Sequence, residues 1–352
     1  MQELQDAPLA PLTTFRLGGP ARRLVTATTD AEVVETVRRA DRDGEPLLVI
    51  GGGSNLVIAD KGFDGTALHI ATTGRTLDGT LLEVAAGEVW SDLVGDTVRE
   101  HGLAGIEFLG GIPGSVGATP VQNVGAYGAE VAQTITEVVA YDRSTATTVT
   151  LDNAACGFSY RHSTFKAQPD RYVVLRVRFV LEDAAGRSTS VRYAEVARSL
   201  GVEQGERVPV ESAWQQVLKL RAGKGMVLDP DDHDTWSAGS FFTNPVLDPE
   251  QFAAFTARVH DRLGPDTAFP AFPAADGSTK TSAAWLIERA GFAKGHGTGP
   301  ARLSTKHTLA LTNRGRATTE DLLALAREVR EGVQAVFGVI LVNEPVLVGV
   351  EL

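Results

Sequence analysis

Residues 110–128, GGIPGSVGATPVQNVGAYG, constrain this chain more than any other stretch: six glycines, two prolines and no charged side chain in one run. Glycine and proline at this density interrupt helices and central strands, so the segment is a long connection. It is too apolar for a disordered linker, and a long ordered loop inside a domain is usually functional. Small uncharged residues let the backbone approach a flat ring or a pyrophosphate closely. The same residues would also suit a buried structural crossover, and the loop alone leaves both readings open.

A second glycine run, Gly51, Gly52 and Gly53 followed by Ser54 and Asn55, comes directly after the apolar run PLLVI. A strand leading into glycines invites a Rossmann reading, but that fingerprint needs G-x-G-x-x-G opening a helix. Here the last glycine is missing and LVIAD continues as strand. The Rossmann reading fails. Three successive glycines still suit a turn whose N–H groups converge on a phosphate, as well as an ordinary tight hairpin turn.

Elsewhere, Asp30 is expected to cap a helix, DAEVVETVRRADRDG, with Val33, Val34 and Val37 on one face. Strands are expected at PLLVI, LVIAD, GTALHIA and TLLEVAAG, and a helix at WSDLVGDTVREHG closing at Gly102. A hairpin at ITEVVAYDRSTATTVTLD and a long strand at RYVVLRVRFVLED follow, then helices at VRYAEVARSLG and ESAWQQVLKLRAG. The remainder reads as helices at 249–262, 280–291 and 318–337, with short strands at LALT, VILV and VLVGV. DPDDHDTW and GPDTAFPAFPAADGSTK read as the weakest-structured segments, the former as a candidate domain boundary. The class is α+β.

At 352 residues the chain has room for two or three domains. Its one cysteine, Cys156, excludes an internal disulfide and cysteine-based metal sites. The seven histidines are scattered and form no helical i, i+4 pair, so no metal is expected. A net charge of −11 lacks the basic surface that nucleic acid requires. No run approaches the roughly 18 apolar residues of a membrane span. MQELQDAPLAPLTTF has neither the basic start nor the apolar core of a signal peptide, so a cytoplasmic location without a membrane partner is expected.

Together GGGSN and GGIPGSVGATPVQNVGAYG, with PLTTFRLGGPA upstream, resemble the FAD-binding domain of the UDP-N-acetylenolpyruvoylglucosamine reductases. The resemblance continues in order through FSYRHSTFK, AGSFFTNP, SAAWLIERAGF and the C-terminal NEP. It implies a two-part FAD-binding domain of the vanillyl-alcohol-oxidase/PCMH type plus a C-terminal α+β substrate-binding domain. The implied bounds are 1–72 and 73–230 for the two FAD-binding subdomains, with the C-terminal strand 340–352 returning to the second, and 231–339 for the substrate domain. It further implies non-covalent FAD, NADPH as hydride donor, and reduction of an enolpyruvyl ether on a UDP-sugar to UDP-N-acetylmuramate for peptidoglycan. A monomer is expected, partnered by its UDP-sugar and NADPH alone.

On this resemblance the cofactor lies against Gly51, Gly52, Gly53, Ser54, Asn55 and Leu56 of the first loop. In the second it meets Gly111, Ile112, Pro113, Gly114, Ser115, Gly117 and Ala118, and further on Asn123, Gly125, Ala126 and Tyr127. Hydride delivered to the β-carbon pushes negative charge onto the α-carbon and carboxylate. The site therefore needs a cation at the carboxylate and a proton donor for the α-carbon. The resemblance gives these tasks to Arg161, which pairs with the carboxylate, Ser240, the general acid, and Glu344, which acts with Arg161. Without it, Arg161 reads equally as a surface arginine, Ser240 as a cap or turn serine, and Glu344 as a turn residue before Pro345.

Tyr160 and Ser163 flank Arg161 and would help to position flavin or substrate. Tyr193 resembles the tyrosine that closes over the UDP in the longer subclass of the family. Arg221 and Lys224 fall where the family carries basic residues for diphosphate or NADPH, although the acidic insert stretches the spacing from Lys224 to Ser240. Asn244, Lys280 and Glu288 are further implied substrate contacts. Two other readings compete. One is an oxidase of the wider flavoprotein superfamily, which often tethers flavin through histidine or cysteine; neither occurs in 51–55 or 110–128. The other is a non-catalytic flavin- or nucleotide-sugar-binding module, in which Arg161, Ser240 and Glu344 together would have no purpose.

Overall fold

The computed structural model describes residues Met1–Leu352. Two units are each assembled from separated stretches of chain. The first comprises Met1–Ala7, Ala21–Gly53 and Phe63–Val227; the second comprises Pro8–Pro20, Ser54–Gly62 and Leu228–Leu352.

The first unit holds two sheets. In one, strands Gln2–Pro8, Pro20–Ala27, Phe63–Ile70 and Leu47–Ile50 lie side by side in that order. Pro20–Ala27 and Leu47–Ile50 both run parallel to Phe63–Ile70. Helix Asp30–Asp43 carries the chain from Pro20–Ala27 to Leu47–Ile50, on the opposite side of Phe63–Ile70. Thr29, rather than Asp30, caps that helix by accepting from the Glu32 N–H at 3.3 Å. Asp30 is the first helical residue, where its charge still favours the N-terminus. Val33 and Val37 are buried, and Val34 is only partly so. The other sheet is antiparallel, ordered Thr147–Asp152, Ile135–Asp142, Tyr172–Val180, Leu81–Ala85, Arg75–Asp78. Helices Trp90–His101, Ala194–Leu200 and Val210–Gly223 complete the unit, the first two closing on the left-handed glycines Gly102 and Gly201. Glu107, fully buried, accepts from the Gly105 and Thr189 N–H groups at 2.6 Å each and from the Thr189 hydroxyl at 2.8 Å. It fastens the segment that leads into helix Ala194–Leu200.

In the second unit, helices Pro249–Leu263, Ala283–Arg289 and Thr319–Phe337 enclose a core that includes Phe241, Phe242, Phe255, Val329 and Phe337. The C-terminal strand Val346–Val348 pairs in parallel with Leu56–Ile58, and not with the antiparallel sheet of residues 75–180 to which a returning strand was expected to add. VILV is not a strand; the residue after it, Asn343, makes one isolated bridge to Phe242. The proline-rich segment expected to lack structure forms strands Ala271–Pro273 and Thr279–Thr281, paired as a hairpin, because its prolines sit where no ladder N–H is required.

The acidic insert is likewise ordered. Asp232 caps the short turn His233–Thr235 and pairs with Lys306 Nζ at 2.5 Å. Asp234, nearly buried, accepts from the Thr305 N–H at 2.9 Å, the Thr305 hydroxyl, and Arg314 Nη1 at 2.8 Å. Burial alone would raise the Asp234 carboxyl, but the Thr305 bonds and the Arg314 charge outweigh it and hold the group below its usual range. A carboxylate depressed in the folded state adds stability above its unfolded pKa of about 4 and loses it as pH falls through the folded value. We therefore expect Asp234→Ala to cost about 3 kcal/mol at pH 7, with the difference from wild type shrinking below about pH 4, as read by urea unfolding at several pH values.

Candidate active site

The two glycine loops meet within the first unit. Gly51 and Gly52 leave strand Leu47–Ile50 and run against Gly114 and Ser115 of the long loop. A Cβ on Gly52 would stand 2.6 Å from Gly114 Cα, and one on Gly51 would overlap Ser115 Oγ. Backbone thus packs on backbone, which only glycine permits at this spacing. The long loop is stitched down by the Trp90 N–H to Gly114 O at 3.0 Å, Val116 N–H to Glu88 O at 2.8 Å and Gly117 N–H to Ala86 O at 2.8 Å. Its far end is fixed by Asn123, almost fully buried. Its amide donates to Glu130 Oε2 at 2.8 Å and Ser159 O at 3.1 Å, and it accepts from the Ala132 N–H at 3.1 Å.

Beyond Asn123, Gly125–Ala126 pairs with Ala129–Glu130 around Tyr127 and Gly128, both at positive φ (51° and 81°). That is the backbone of a two-residue hairpin turn with both central residues left-handed. Arg161 stands in a second two-residue turn, closed by mutual Ser159 and His162 backbone bonds at 3.1 Å, in which it alone is left-handed, at φ 52°. Its Nη2 donates to Gly125 O at 3.0 Å, and Lys166 Nζ donates to its carbonyl at 3.0 Å. Arginine and tyrosine gain nothing from left-handed backbone, so Tyr127 and Arg161 are held there by their surroundings. Tyr160 is exposed beside Arg161. Ser163, buried, donates to Val121 O and accepts from the Lys166 N–H as a helix cap.

Cations gather on the Tyr127 side of the loop. Arg221 is 8% exposed, donates to Met226 O at 2.9 Å, and has a buried Nε with no partner. A Cβ on Gly111 would lie 3.6 Å from that Nε. Burial pushes the guanidinium down to about 10, which leaves it charged at neutral pH. An orphaned buried donor on a cation calls for an anionic ligand. Lys224 Nζ lies 5.6 Å from the centre of the Tyr127 ring and 2.6 Å from Glu195, a partner that sequence reading missed because it looks like any helix-surface glutamate. Tyr193 meets Tyr127 edge-on at 5.6 Å. The loop cradle and Arg221 fit a flat cofactor that carries phosphates. Arg221→Met is expected to weaken FAD retention about tenfold or more, measured as flavin absorbance relative to protein after dilution.

In the second unit, the Phe242–Asn343 bridge is antiparallel, and the Glu344 N–H donates to Phe241 O at 2.8 Å. Ser240, the residue before Phe241, and Glu344 are thereby neighbours on one short ladder although 104 residues apart (344 − 240). Asn55 Nδ2 donates to Glu344 O at 3.3 Å, and the Val346 N–H donates to Asn55 O at 2.9 Å. Asn55 therefore braces the Glu344 backbone, and Leu56 begins the strand paired with Val346. Asn244 Oδ1 accepts from the Ala283 N–H at 3.0 Å at the start of helix Ala283–Arg289. Lys280 pairs in register with Val246 close by, and Glu288 accepts from the Thr308 hydroxyl at 3.2 Å. No group of three or more His, Cys, Asp or Glu side chains could hold a metal ion. Cys156 is buried, and burial pushes its thiol up to about 12.

Residues 21–152 match the FAD binding domain model, and residues 229–348 match the model of the UDP-N-acetylenolpyruvoylglucosamine reductase C-terminal domain. The chain is thus a flavoprotein oxidoreductase with a dedicated C-terminal domain. It is 73% identical over 352 residues to UDP-N-acetylenolpyruvoylglucosamine reductase of Streptomyces avermitilis, covering 100% of this chain and 96% of that one. Its identity to the enzyme of the same name from Mycobacterium avium is 50%, covering 98% and 95%. The crystal structure of the Thermus caldophilus reductase superposes with a TM-score of 0.66 at 26% identity, over 99% of this chain and 98% of that one. 6-Hydroxy-D-nicotine oxidase from Arthrobacter nicotinovorans shares the fold alone, with a TM-score of 0.51 at 16% identity, over 97% of this chain and 86% of that one. The chain belongs to the UDP-N-acetylenolpyruvoylglucosamine reductase family, with FAD as its cofactor.

Proposed function

We propose that this chain catalyses the NADPH-dependent, FAD-mediated reduction of UDP-N-acetylglucosamine enolpyruvate to UDP-N-acetylmuramate, a step of peptidoglycan synthesis. The observation that carries this reading is the 73% identity to a named reductase over the full length. Bound FAD, once reduced by NADPH, supplies the hydride for the β-carbon. Everything else falls to the chain. Gly51, Gly52, Gly53, Ser54, Asn55 and Leu56 and the 111–127 loop, with Arg221, hold the cofactor. Arg161 pairs with the substrate carboxylate and stabilises the charge that develops there. Ser240 gives its hydroxyl proton to the α-carbon, and Glu344 works at the carboxylate end with Arg161. Tyr160, Tyr193, Lys224, Asn244, Lys280 and Glu288 bind the nucleotide-sugar.

The division of labour is two FAD-binding subdomains, about 1–72 and 73–230, and a substrate domain, about 231–339. A monomer in the cytoplasm, without nucleic acid or membrane partners, is part of the same reading. A net charge of −11 supports it against nucleic acid, and no helix is long and apolar enough to cross a membrane. The competing oxidase would pass electrons to oxygen. The deciding assay is anaerobic NADPH oxidation with and without the enolpyruvyl nucleotide-sugar. Consumption that requires the nucleotide-sugar and not oxygen is expected; oxygen-dependent turnover without it would mark an oxidase.

A further inference from the structure

Lys224 is already occupied. It closes helix Val210–Gly223 as its C-cap residue, and its ammonium meets Glu195 Oε2 at 2.6 Å. Glu195 sits in the first turn of helix Ala194–Leu200, where a carboxylate is favoured by the helix N-terminus. Tyr193 caps the same helix and packs edge-on against Tyr127, whose ring lies under the Lys224 ammonium. One short helix thus delivers both a tyrosine against Tyr127 and a carboxylate onto Lys224. The pair is 29% and 37% exposed, so it is screened and exchangeable rather than locked. A diphosphate, with more charge and more acceptor oxygens than a carboxylate, outcompetes Glu195 for the same ammonium.

We propose that Glu195 is a positioning residue that acts as an internal competitor for the substrate diphosphate, and that its release from Lys224 accompanies nucleotide-sugar binding. The proposal rests on the reading that Lys224 takes the diphosphate. Because Tyr193 and Glu195 share a helix, displacing the carboxylate also frees the tyrosine to settle on the nucleotide. Glu195 then sets affinity from outside the reacting atoms.

The test compares wild type, E195Q, K224M and the double variant, each with its flavin content verified. Two quantities are read: Kd for UDP by calorimetry, and KM for the enolpyruvyl nucleotide-sugar. E195Q is expected to lower both by about two- to fivefold, the range in which exposed ion pairs act. K224M should raise both, and E195Q should have no further effect in the K224M background. A merely structural Glu195, which holds Lys224 in place for substrate, would move affinity the other way. If E195Q leaves Kd unchanged or raises it while K224M raises it, the competitor role is overturned and the Lys224 reading stands. If K224M leaves UDP affinity at the wild-type value, the diphosphate reading fails and Glu195 falls with it.

Discussion

Replacing Ser240 with alanine is expected to leave flavin reduction by NADPH at its wild-type rate and to slow product formation by about 10²- to 10⁴-fold, the usual worth of a general acid. The two half-reactions separate in a stopped-flow experiment, since reduction bleaches the flavin and the nucleotide-sugar restores its colour. Alanine is the right probe because the backbone at this point is held without the hydroxyl. Gly239 makes the turn at a φ of 72°, and the Phe241 N–H bonds Leu309 O at 2.8 Å. A serine hydroxyl is a weak acid, so it can serve only against a strongly basic carbon and with help for the alkoxide left behind. Normal reoxidation by substrate in the alanine variant would remove Ser240 from the reaction altogether.

The second large effect concerns the cofactor. Gly52→Val is expected to yield protein largely free of FAD, with stability lowered by about 1–3 kcal/mol through overpacking. A side chain there must displace Gly114 Cα at 2.6 Å and its carbonyl carbon at 2.9 Å, and neither is a flexible group that can swing aside. The loops would separate, and the cradle that both contribute would open. Gly44→Ala is the control. Gly44, unlike Gly52, has a positive φ, of 62°, but nothing lies within 4 Å of a new Cβ, so it should cost about 1 kcal/mol and keep its flavin. The comparison distinguishes loss of glycine as such from loss of close packing between the loops.

The features legible in sequence were those written in local chemistry. Left-handed glycines closed the helices where expected, at Gly44, Gly102 and Gly201. The failed Rossmann spacing correctly kept a strand, Leu56–Ile58, after GGGSN. The features that escaped depend on partners far along the chain. DPDDHDTW looked unstructured because Thr305, Lys306 and Arg314, which order it, lie 71 to 80 residues later. VILV looked like a strand because it is apolar, yet the only pairing beside it is the single bridge of the next residue, Asn343. That Asn244 bonds the Ala283 N–H is revealed by no sequence rule. The Ser240–Glu344 proximity is of the same kind: motif order placed both residues in one family, and only the ladder at Phe242 and Asn343 made them neighbours.

The pairing of Val346–Val348 with Leu56–Ile58 has a consequence for how the molecule is made. The second unit needs residues 8–20 and 54–62 together with 346–348, so on the ribosome it stays unfinished until residue 348 has emerged. Such distant pairing carries the loop-closure cost that slows folding. The unit also cannot be excised as a C-terminal fragment, because residues 8–20 and 54–62 would be missing. A chain that loses its final strand leaves Leu56–Ile58 as an unpaired edge beside Asn55, exposed to the wrong partner. Strand Val346–Val348 thus acts as a late checkpoint, since a chain that stops short of it lacks the strand that flanks Glu344.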